Sequence, residues 1–175
     1  MKKILLGVTS SVSIYKSCEL VRLFKKSGND VRIVMSDNAV KLISPLLFET
    51  LSENPVHVTQ FTGRTSMEHI TLKQFADIFV VAPATADVIS KFASGIADSL
   101  ITTVYLSMKC PVLIAPAMNP DMWTHPSVIR NVDTLKNDGV SFTGPDCGDA
   151  ACGDTGYGRL APVEKIYEDA LSLIR

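Results

Sequence analysis

The amino-acid sequence predicts a single doubly wound, parallel-sheet α/β domain, flavodoxin- or Rossmann-like, with three layers in the order helix, sheet, helix. Short apolar runs that are typical of buried strands alternate with longer stretches of helical periodicity. The first two apolar runs flank one such stretch, and this βαβ arrangement implies parallel strands with a right-handed crossover. The 175 residues suit one domain with a substantial core. We therefore expect one domain over residues 1–175, with no second domain fused to it.

Five apolar runs are predicted to be strands, and a sixth, weaker β-like run covers Val56 to Thr59. The five strands are expected at Lys3 to Val8, Val31 to Met35, Asp77 to Ala82, Val112 to Ala115 and Val140 to Thr143. Apolar residues at helical spacing, bounded by Gly or Pro, predict the helices between them. Helices are expected before Gly28, up to Ile43, from Pro45, over Leu72 to Ala76, Val88 to Phe92 and Ser99 to Met108, from Pro126 to Gly139, and after Pro162.

The stretch from Gly144 to Leu160 is expected to be irregular, since it contains five glycines in seventeen residues. Irregular stretches of this length in a compact domain are often functional lids. The segment therefore predicts a mobile, Gly-rich flap. It ends in Arg159, whose guanidinium could bind a phosphate or a carboxylate.

Composition excludes several classes of protein. With 46% hydrophobic and 20% charged residues, the chain is globular rather than disordered. A net charge of −1 and the lack of a basic run argue against binding to nucleic acid or to an anionic membrane. The apolar run after Met1 is too short for a signal peptide or a membrane span. We therefore expect a cytoplasmic protein with reduced cysteines.

No metal site is expected from the cysteines. Cys147 and Cys152 have the spacing C-x4-C, but no second pair or nearby His completes a zinc site. A flap that carries one working thiol is the better interpretation of this pair.

Hydroxyl side chains follow the first two predicted strands at their carboxyl ends, where open α/β sheets bind ligands. Thr9, Ser10 and Ser11 precede the first helix, and Ser36 follows the second strand. Backbone N–H groups and hydroxyls at a helix start can hold a phosphate. The loop lacks the GxGxxG pattern, so a dinucleotide site is only weakly indicated. A serine helix cap fits the same residues.

The segment Pro116 to Trp123, which reads PAMNPDMW, follows the fourth predicted strand. Its Asn119 carries both donors and an acceptor, so that it can bind a carboxylate or an amide. A Pro-rich turn around Asn119 is the alternative. His69 precedes a short helical stretch and is either a residue that changes charge near neutral pH or a cap. His57 and His125 are interpreted as structural, with His125 as a helix cap.

Several of these segments resemble the FMN-dependent cysteine decarboxylases. That family includes phosphopantothenoylcysteine decarboxylases, lantibiotic peptidyl-cysteine decarboxylases and Hal3-type proteins. PAMNPDMW matches the family pattern PxMNxxMW at every fixed position, and His69 to Leu72 matches HIxL. Pro83 to Asp87 reads PATAD and resembles the PASANT motif, with Asp in place of Asn. Gly95 to Leu100 resembles a further segment, with Ser99 in place of Asn. Residues 151–160 resemble the substrate clamp of the phosphopantothenoylcysteine decarboxylases.

The resemblance implies bound FMN and a homo-oligomer built of trimers, with the flavin between subunits. His69 would then act as the acid/base group in a site completed by a neighbouring subunit. Asn119 would bind the substrate carboxylate, and Cys152 would donate a proton in the reductive half of the reaction. The implied cofactor-binding residues are Thr9, Ser10, Ser11, Ser36, Pro83, Ala84, Thr85, Ala86, Asp87 and Ser99, and the implied substrate-binding residues are Ala117, Met118, Asn119 and Arg159.

The reaction that the resemblance implies is decarboxylation of 4'-phospho-N-pantothenoylcysteine to 4'-phosphopantetheine in coenzyme A biosynthesis. Oxidation of the thiol-bearing carbon to a thioaldehyde places the carboxylate β to a C=S group, which makes its loss easy. A separate phosphopantothenate-cysteine ligase would supply the substrate. The alternatives are a peptidyl-cysteine decarboxylase, which stops at the enethiol, a flavin prenyltransferase, which lacks the Asn motif, and a Hal3-type regulatory flavoprotein without catalysis.

Overall fold

The computed structural model of the chain describes residues 1–61, 67–149 and 153–174. In these ranges, six parallel strands form one sheet in the order β3-β2-β1-β4-β5-β6. The strands are β1 Lys3–Val8, β2 Asp30–Met35, β3 Val56–His57, β4 Ile78–Ala84, β5 Val112–Pro116 and β6 Ser141–Phe142. The five predicted strands are confirmed within one or two residues, and the weaker β-like run contributes the edge strand β3.

Helices cover both faces of the sheet and connect the parallel strands. They are α1 Tyr15–Lys26, α2 Pro45–Ser52, α3 Glu68–Phe75, α4 Ala86–Ala93, α5 Leu100–Ser107, α6 Pro120–Thr124, α7 Pro126–Asn137 and α8 Val163–Ser172. Short 3₁₀ turns lie at Val12–Ile14 and Ala39–Lys41. The predicted helices are confirmed except the one up to Ile43, where only the 3₁₀ turn Ala39–Lys41 forms. The five-residue α6 replaces the turn expected after Asn119.

Two apolar layers hold the helices against the sheet. Along β1, Ile4 and Leu6 face the layer that contains residues of α1, α2 and α8. Leu5 faces the opposite layer, which contains residues of α3, α4, α5 and α7. Because β1 is buried on both faces, its sequence is a continuous apolar run rather than an alternating one. The predicted three-layer, flavodoxin-like α/β fold is therefore confirmed.

The Gly-rich stretch is not irregular, and that prediction was wrong for most of it. Its described residues include two antiparallel strands, β7 Asp146–Asp149 and β8 Thr155–Arg159. Cys147 pairs with Tyr157, and Asp149 pairs with Thr155. Glycine is depleted in strands, so its frequency here concealed the ribbon in the sequence.

The carboxyl ends of the central strands form the edge that positions the site. The direction of the strand order reverses between β1 and β4, which is where ligands bind in open sheets of this kind. Thr9 follows β1, Thr85 follows β4 and Ala117 follows β5 at this edge. No helix in the described part of the chain is long and apolar enough to cross a membrane.

Candidate active site

A cavity of about 670 Å³ lies at this edge of the sheet. Its volume falls in the range of about 300–1,000 Å³ that is usual for small-molecule sites. The described residues that line it are Ser10, Ser11, Val12, Ser13, Tyr15, Lys16, Thr85, Ala86, Ala117, Met118, Asn119, Met122, Asp149, Gly158, Arg159 and Leu160. The structure thus brings together the serine loop, the PATAD segment, the Asn motif and the hairpin of β7 and β8.

Thr9 joins the ends of β1 and β4 beneath the cavity. Its side chain is 2% exposed and does not line the cavity itself. The Thr9 hydroxyl donates to the carbonyl of Pro83 at 2.7 Å and accepts from the Thr85 N–H at 3.1 Å. Thr85 in turn caps α4, because its hydroxyl accepts from the Val88 N–H at 3.4 Å. This wall of the cavity is therefore fixed to the sheet.

The loop of Ser10 and Ser11 is compatible with both interpretations of its sequence, a helix cap and a phosphate-binding loop. The Ser11 hydroxyl accepts from the Ser13 N–H at 3.4 Å and lies 3.0 Å from the Ser13 hydroxyl, so Ser11 is a cap. Ser10, Ser11 and Ser13 also line the cavity, with Lys16 beside them. Hydroxyls and an ammonium at a helix start suit the phosphate of a ligand.

Besides Thr9, five predicted cofactor residues lie outside the cavity lining. Ala84 is fully buried and Pro83 is buried at the end of β4. The Ser36 hydroxyl accepts from the Ala39 N–H at 3.3 Å and caps a 3₁₀ turn. Asp87 forms a surface ion pair with Lys91 at 3.4 Å. Ser99 caps α5 in a capping box with Thr102. Direct contacts from these five residues to a cofactor stay predictions.

Asn119 lies at the start of α6 with both ends of its amide engaged. Its Oδ1 accepts from the Asp121 N–H at 2.8 Å. Its Nδ2 donates to Oδ2 of Asp154 at 2.7 Å. The backbone N–H of Asp121 can only donate and a carboxylate can only accept, so the two partners fix the orientation of the amide. The side chain is half-buried and lines the cavity.

Two glycines let the hairpin lie directly on the Asn motif. The Met118 N–H donates to the Gly158 carbonyl at 2.9 Å. A Cβ atom on Gly158 would lie 2.3 Å from the Met118 carbonyl oxygen, and one on Gly156 would lie 2.9 Å from Cβ of Pro120. No larger side chain fits either position without displacing backbone or the proline ring. The two glycines are thus needed for the close contact between the hairpin and the Asn motif, and not for flexibility of the hairpin.

The predicted substrate residues meet at this junction. Ala117 is 4% exposed, and its N–H donates to the Ala84 carbonyl at 2.9 Å, which ties the motif to β4. Met118 and Arg159 line the cavity from the two sides of the junction. The Arg159 side chain crosses Gly148, where an added Cβ would lie 3.0 Å from its Nη1. Arg159 is exposed and so can reach an anionic ligand.

His69 lies in the first turn of α3 and is half-buried, but it does not line the cavity. The neighbouring Glu68 is in ion-pair contact with His57, with 2.8 Å between His57 Nδ1 and Glu68 Oε2. This contact ties the turn that carries His69 to the end of β3. His57 is structural, and His125 caps α7 by accepting from the Ser127 N–H at 3.2 Å, so both interpretations are confirmed.

The predicted proton donor Cys152 lies outside the described residues. Of the other cysteines, Cys147 is exposed on β7, while Cys18 and Cys110 are partly buried. Burial raises the pKa of both partly buried thiols above the ordinary value, so they are weak acids and poor nucleophiles. Among the described residues, no group of three or more His, Cys, Asp and Glu side chains is placed to hold a metal ion.

Residues 1–175 match the model of the family described as Flavoprotein. The chain belongs to the Flavoprotein family. It is 41% identical over 165 residues to the coenzyme A biosynthesis bifunctional protein CoaBC of Mycolicibacterium smegmatis, which covers 94% of this chain and 40% of that protein. The chain spans about two fifths of the length of the curated relatives that it matches.

Solved structures of similar proteins share the Flavoprotein fold over almost the whole chain. The FMN-dependent cysteine decarboxylase SpaF is 31% identical, with a TM-score of 0.85 over 98% of this chain and 96% of SpaF. A Cys-to-Ser mutant of PPC decarboxylase, complexed with pantothenoylaminoethenethiol, is 26% identical, with a TM-score of 0.88 over 98% of this chain and 97% of that chain.

Sequence reasoning missed several residues of the cavity. Lys16 and Tyr15 follow the serine loop by a few residues, and a cation so close to a hydroxyl-rich helix start could have been identified. Gly158 and Asp149 could not, because their place in the site depends on the pairing of β7 with β8. Asp154 was missed for the same reason, although it contacts the central Asn119.

Proposed function

We propose that this flavoprotein catalyses FMN-dependent decarboxylation of 4'-phospho-N-pantothenoylcysteine to 4'-phosphopantetheine, a step of coenzyme A biosynthesis. The observation that carries the proposal is the place of Asn119 at the wall of the cavity, with its amide oriented by two partners. The names of the curated relatives supply the pathway, and the PPC decarboxylase neighbour supplies the substrate class.

The cavity suits FMN. Ser10, Ser11 and Lys16 offer donors for a phosphate, and the small side chains of Ala86 and Ala117 leave room for a flat ring. FMN, when bound, supplies two-electron oxidation and reduction at the thiol-bearing carbon of the substrate. The protein supplies binding, orientation and proton transfer.

In this proposal each remaining group has one task. Asn119 binds the substrate carboxylate through its amide, and Arg159 offers a second anion contact from the hairpin. His69 is the acid/base group, and its place outside this cavity is consistent with a site shared between two subunits of a trimer. Cys152 donates the proton that completes the reduced product. A thiol suits this task because its reference pKa is about 8.5.

The absorption spectrum of the purified protein is the first test, followed by mass spectrometry after addition of phosphopantothenoylcysteine. We expect a yellow protein with bound FMN and a product that has lost carbon dioxide and kept all its other atoms. A folded protein that binds no FMN, or a holoprotein that leaves the compound unchanged, would contradict the proposal.

The similarity to SpaF supports a second candidate, peptidyl-cysteine decarboxylation, whose product is an enethiol. The Cys152→Ser variant separates the two activities, because a hydroxyl is too weak an acid to replace the thiol. In single-turnover mass spectra we expect wild type to form phosphopantetheine. The variant should accumulate a species that is lighter by two hydrogen atoms. Release of that lighter species by wild type would instead support the second candidate.

The trimer, the separate ligase and the cytoplasmic location belong to the same proposal. The three described cysteines are all free thiols, which is consistent with a reducing compartment. Light scattering coupled to size-exclusion chromatography tests the trimer-based assembly. A purely regulatory, Hal3-type role would be supported only if the FMN-loaded protein turned over none of the cysteine substrates offered.

A further inference from the structure

Asp154 places a carboxylate on the amide that we assign to substrate binding. Its Oδ2 lies 2.7 Å from Nδ2 of Asn119. The amide cannot turn away without losing the bond between its Oδ1 and the Asp121 N–H, which is 2.8 Å long. The donor end of Asn119 is therefore held toward Asp154 by the start of α6.

The bond between Asn119 and Asp154 has the chemistry of the contact that the substrate would make. In both cases a carboxylate oxygen accepts from the Asn119 amide, and such charge-assisted bonds are short and strong. Two carboxylates that meet at one amide repel each other. A substrate carboxylate therefore has to displace Asp154 or bind against its charge.

The position of Asp154 allows it to leave without detaching the hairpin. The residue is exposed and precedes the first residue of β8. The hairpin is held on the Asn motif further along the strand, where the Met118 N–H donates to the Gly158 carbonyl. The carboxylate can therefore exchange with a ligand while that backbone bond stays in place.

We propose that Asp154 is a specificity-determining residue that competes with the substrate carboxylate for the Asn119 amide. The inference rests on the function proposed above. Asp154 lowers the affinity for the carboxylate-bearing substrate and has no such effect on the product, which has lost that group as carbon dioxide. When the carboxylate has left, Asp154 returns to the amide. With Asn119 alone, the protein would bind the substrate more tightly than the product. Asp154 makes this difference in affinity smaller.

The test uses two unreactive ligands that differ only in the carboxylate. These are phosphopantothenoylserine, which has a hydroxyl in place of the thiol, and its counterpart without the carboxylate. Calorimetry on the FMN-loaded protein measures both affinities in wild type, Asp154→Asn and Asp154→Ala. We expect both variants to bind the carboxylate ligand about tenfold more tightly, the size expected for one hydrogen bond to a charged group. Affinity for the other ligand should stay within about twofold.

Asp146→Asn is the matched control, because it removes the same charge from the same hairpin. Asp146 lies at the other end of the ribbon, where it pairs with Arg159, whereas Asp154 bonds to the Asn119 amide, so the ratio of the two affinities should equal that of wild type. Equal changes for both ligands in the Asp154 variants would overturn the inference and assign the residue a structural role. Weaker binding of the carboxylate ligand would overturn it in favour of Asp154 as a support for Asn119. A wild-type holoprotein that bound neither ligand and did not turn over the thiol substrate would overturn the proposed function as well.

Discussion

The cavity wall that begins at Thr9 and the wall that carries Asn119 are held in place by different kinds of contact. Thr9 is 2% exposed and bonds to backbone groups at the end of β4. Asn119 is half-buried, and its amide bonds to the exposed Asp154 of the hairpin segment. The first wall is part of the sheet, whereas the second depends on a ribbon that lies on the surface of the domain.

This difference indicates a division of tasks between the two walls. Contacts buried in the core open only with the whole domain, while exposed contacts open locally at lower free energy. The Thr9 wall therefore suits a cofactor that stays bound through many turnovers. The Asn119 wall suits a substrate that enters and leaves. Substitutions in the first wall should reduce stability, and those in the second should reduce turnover while the fold persists.

Asn119→Asp should have the largest effect and tests whether the second wall serves turnover alone. The new carboxylate can still accept from the Asp121 N–H and cap α6, but its other oxygen faces Asp154 and the substrate carboxylate. Repulsion on the order of several kcal/mol should abolish decarboxylation in a folded, yellow protein. Asn137→Asp, on the exposed end of α7, is the control and should turn over normally. Near-normal turnover of Asn119→Asp would remove Asn119 from the site.

Gly158→Ala should come next, because it blocks the docking of the hairpin. The added methyl would lie 2.3 Å from the Met118 carbonyl oxygen, so the ribbon has to move at a cost of about 1–3 kcal/mol. We expect a strong loss of kcat/KM, and a fall in the free energy of unfolding in urea that is no larger than this cost, because the ribbon can shift on the domain surface while the sheet stays folded. In the control Gly148→Ala, the methyl meets only the Arg159 side chain, which can move. The loss of kcat/KM in this control should therefore be smaller than in Gly158→Ala. If the two variants lost activity equally, close backbone docking would not be the reason.

Thr9→Val tests the first wall, and its effect should be on stability. The substitution keeps the shape but removes the hydroxyl that accepts from the Thr85 N–H and donates to the Pro83 carbonyl. The Thr85 N–H then loses its acceptor, while the Pro83 carbonyl keeps only the bond from the residue 9 backbone N–H at 3.3 Å. We expect a cost of about 1–3 kcal/mol, measured as a lower free energy of unfolding in urea. FMN affinity, followed by flavin fluorescence, should fall with it. Thr9→Ser retains the hydroxyl and should keep most of the free energy of unfolding and most of the FMN affinity. If Thr9→Ser behaved like Thr9→Val, packing rather than hydrogen bonding would stabilise this wall.

His57→Leu should have the smallest effect, since it acts on the turn that carries His69. The variant loses the 2.8 Å contact to Glu68, which is worth at most about 1 kcal/mol by analogy with other half-exposed pairs. We expect kcat to fall by no more than about fivefold with KM unchanged. His57→Asn, which keeps a donor near the same place, should recover part of the loss. A rise in KM alone would show that the pair does not position His69 for chemistry.

Local patterns in the sequence were sufficient for the fold and for part of the site. The continuous apolar runs of β1 and β4 are short and bounded by polar residues, which favours strands that are buried on both faces. Such strands are typical of a parallel sheet with helices on each side. That sheet collects Thr9, Thr85 and Ala117 at one edge, because parallel strands all end on the same side. Ser11 and Thr85 are visible in the sequence as polar residues at helix starts. The helix that follows Asn119 was expected to be a turn.

The hairpin and its contacts were decided by the tertiary structure alone. Cys147 and Tyr157 are paired across a ribbon whose glycines gave no strand pattern. Gly158 is required by the Met118 carbonyl, and Asp154 matters because of Asn119, 35 positions away in the chain. Periodicity records which face of an element is buried, but it carries no information about which distant residue a side chain meets. For that reason the sequence predicted which edge of the sheet carries the candidate site, and only the folded chain showed which carboxylate contacts the Asn119 amide.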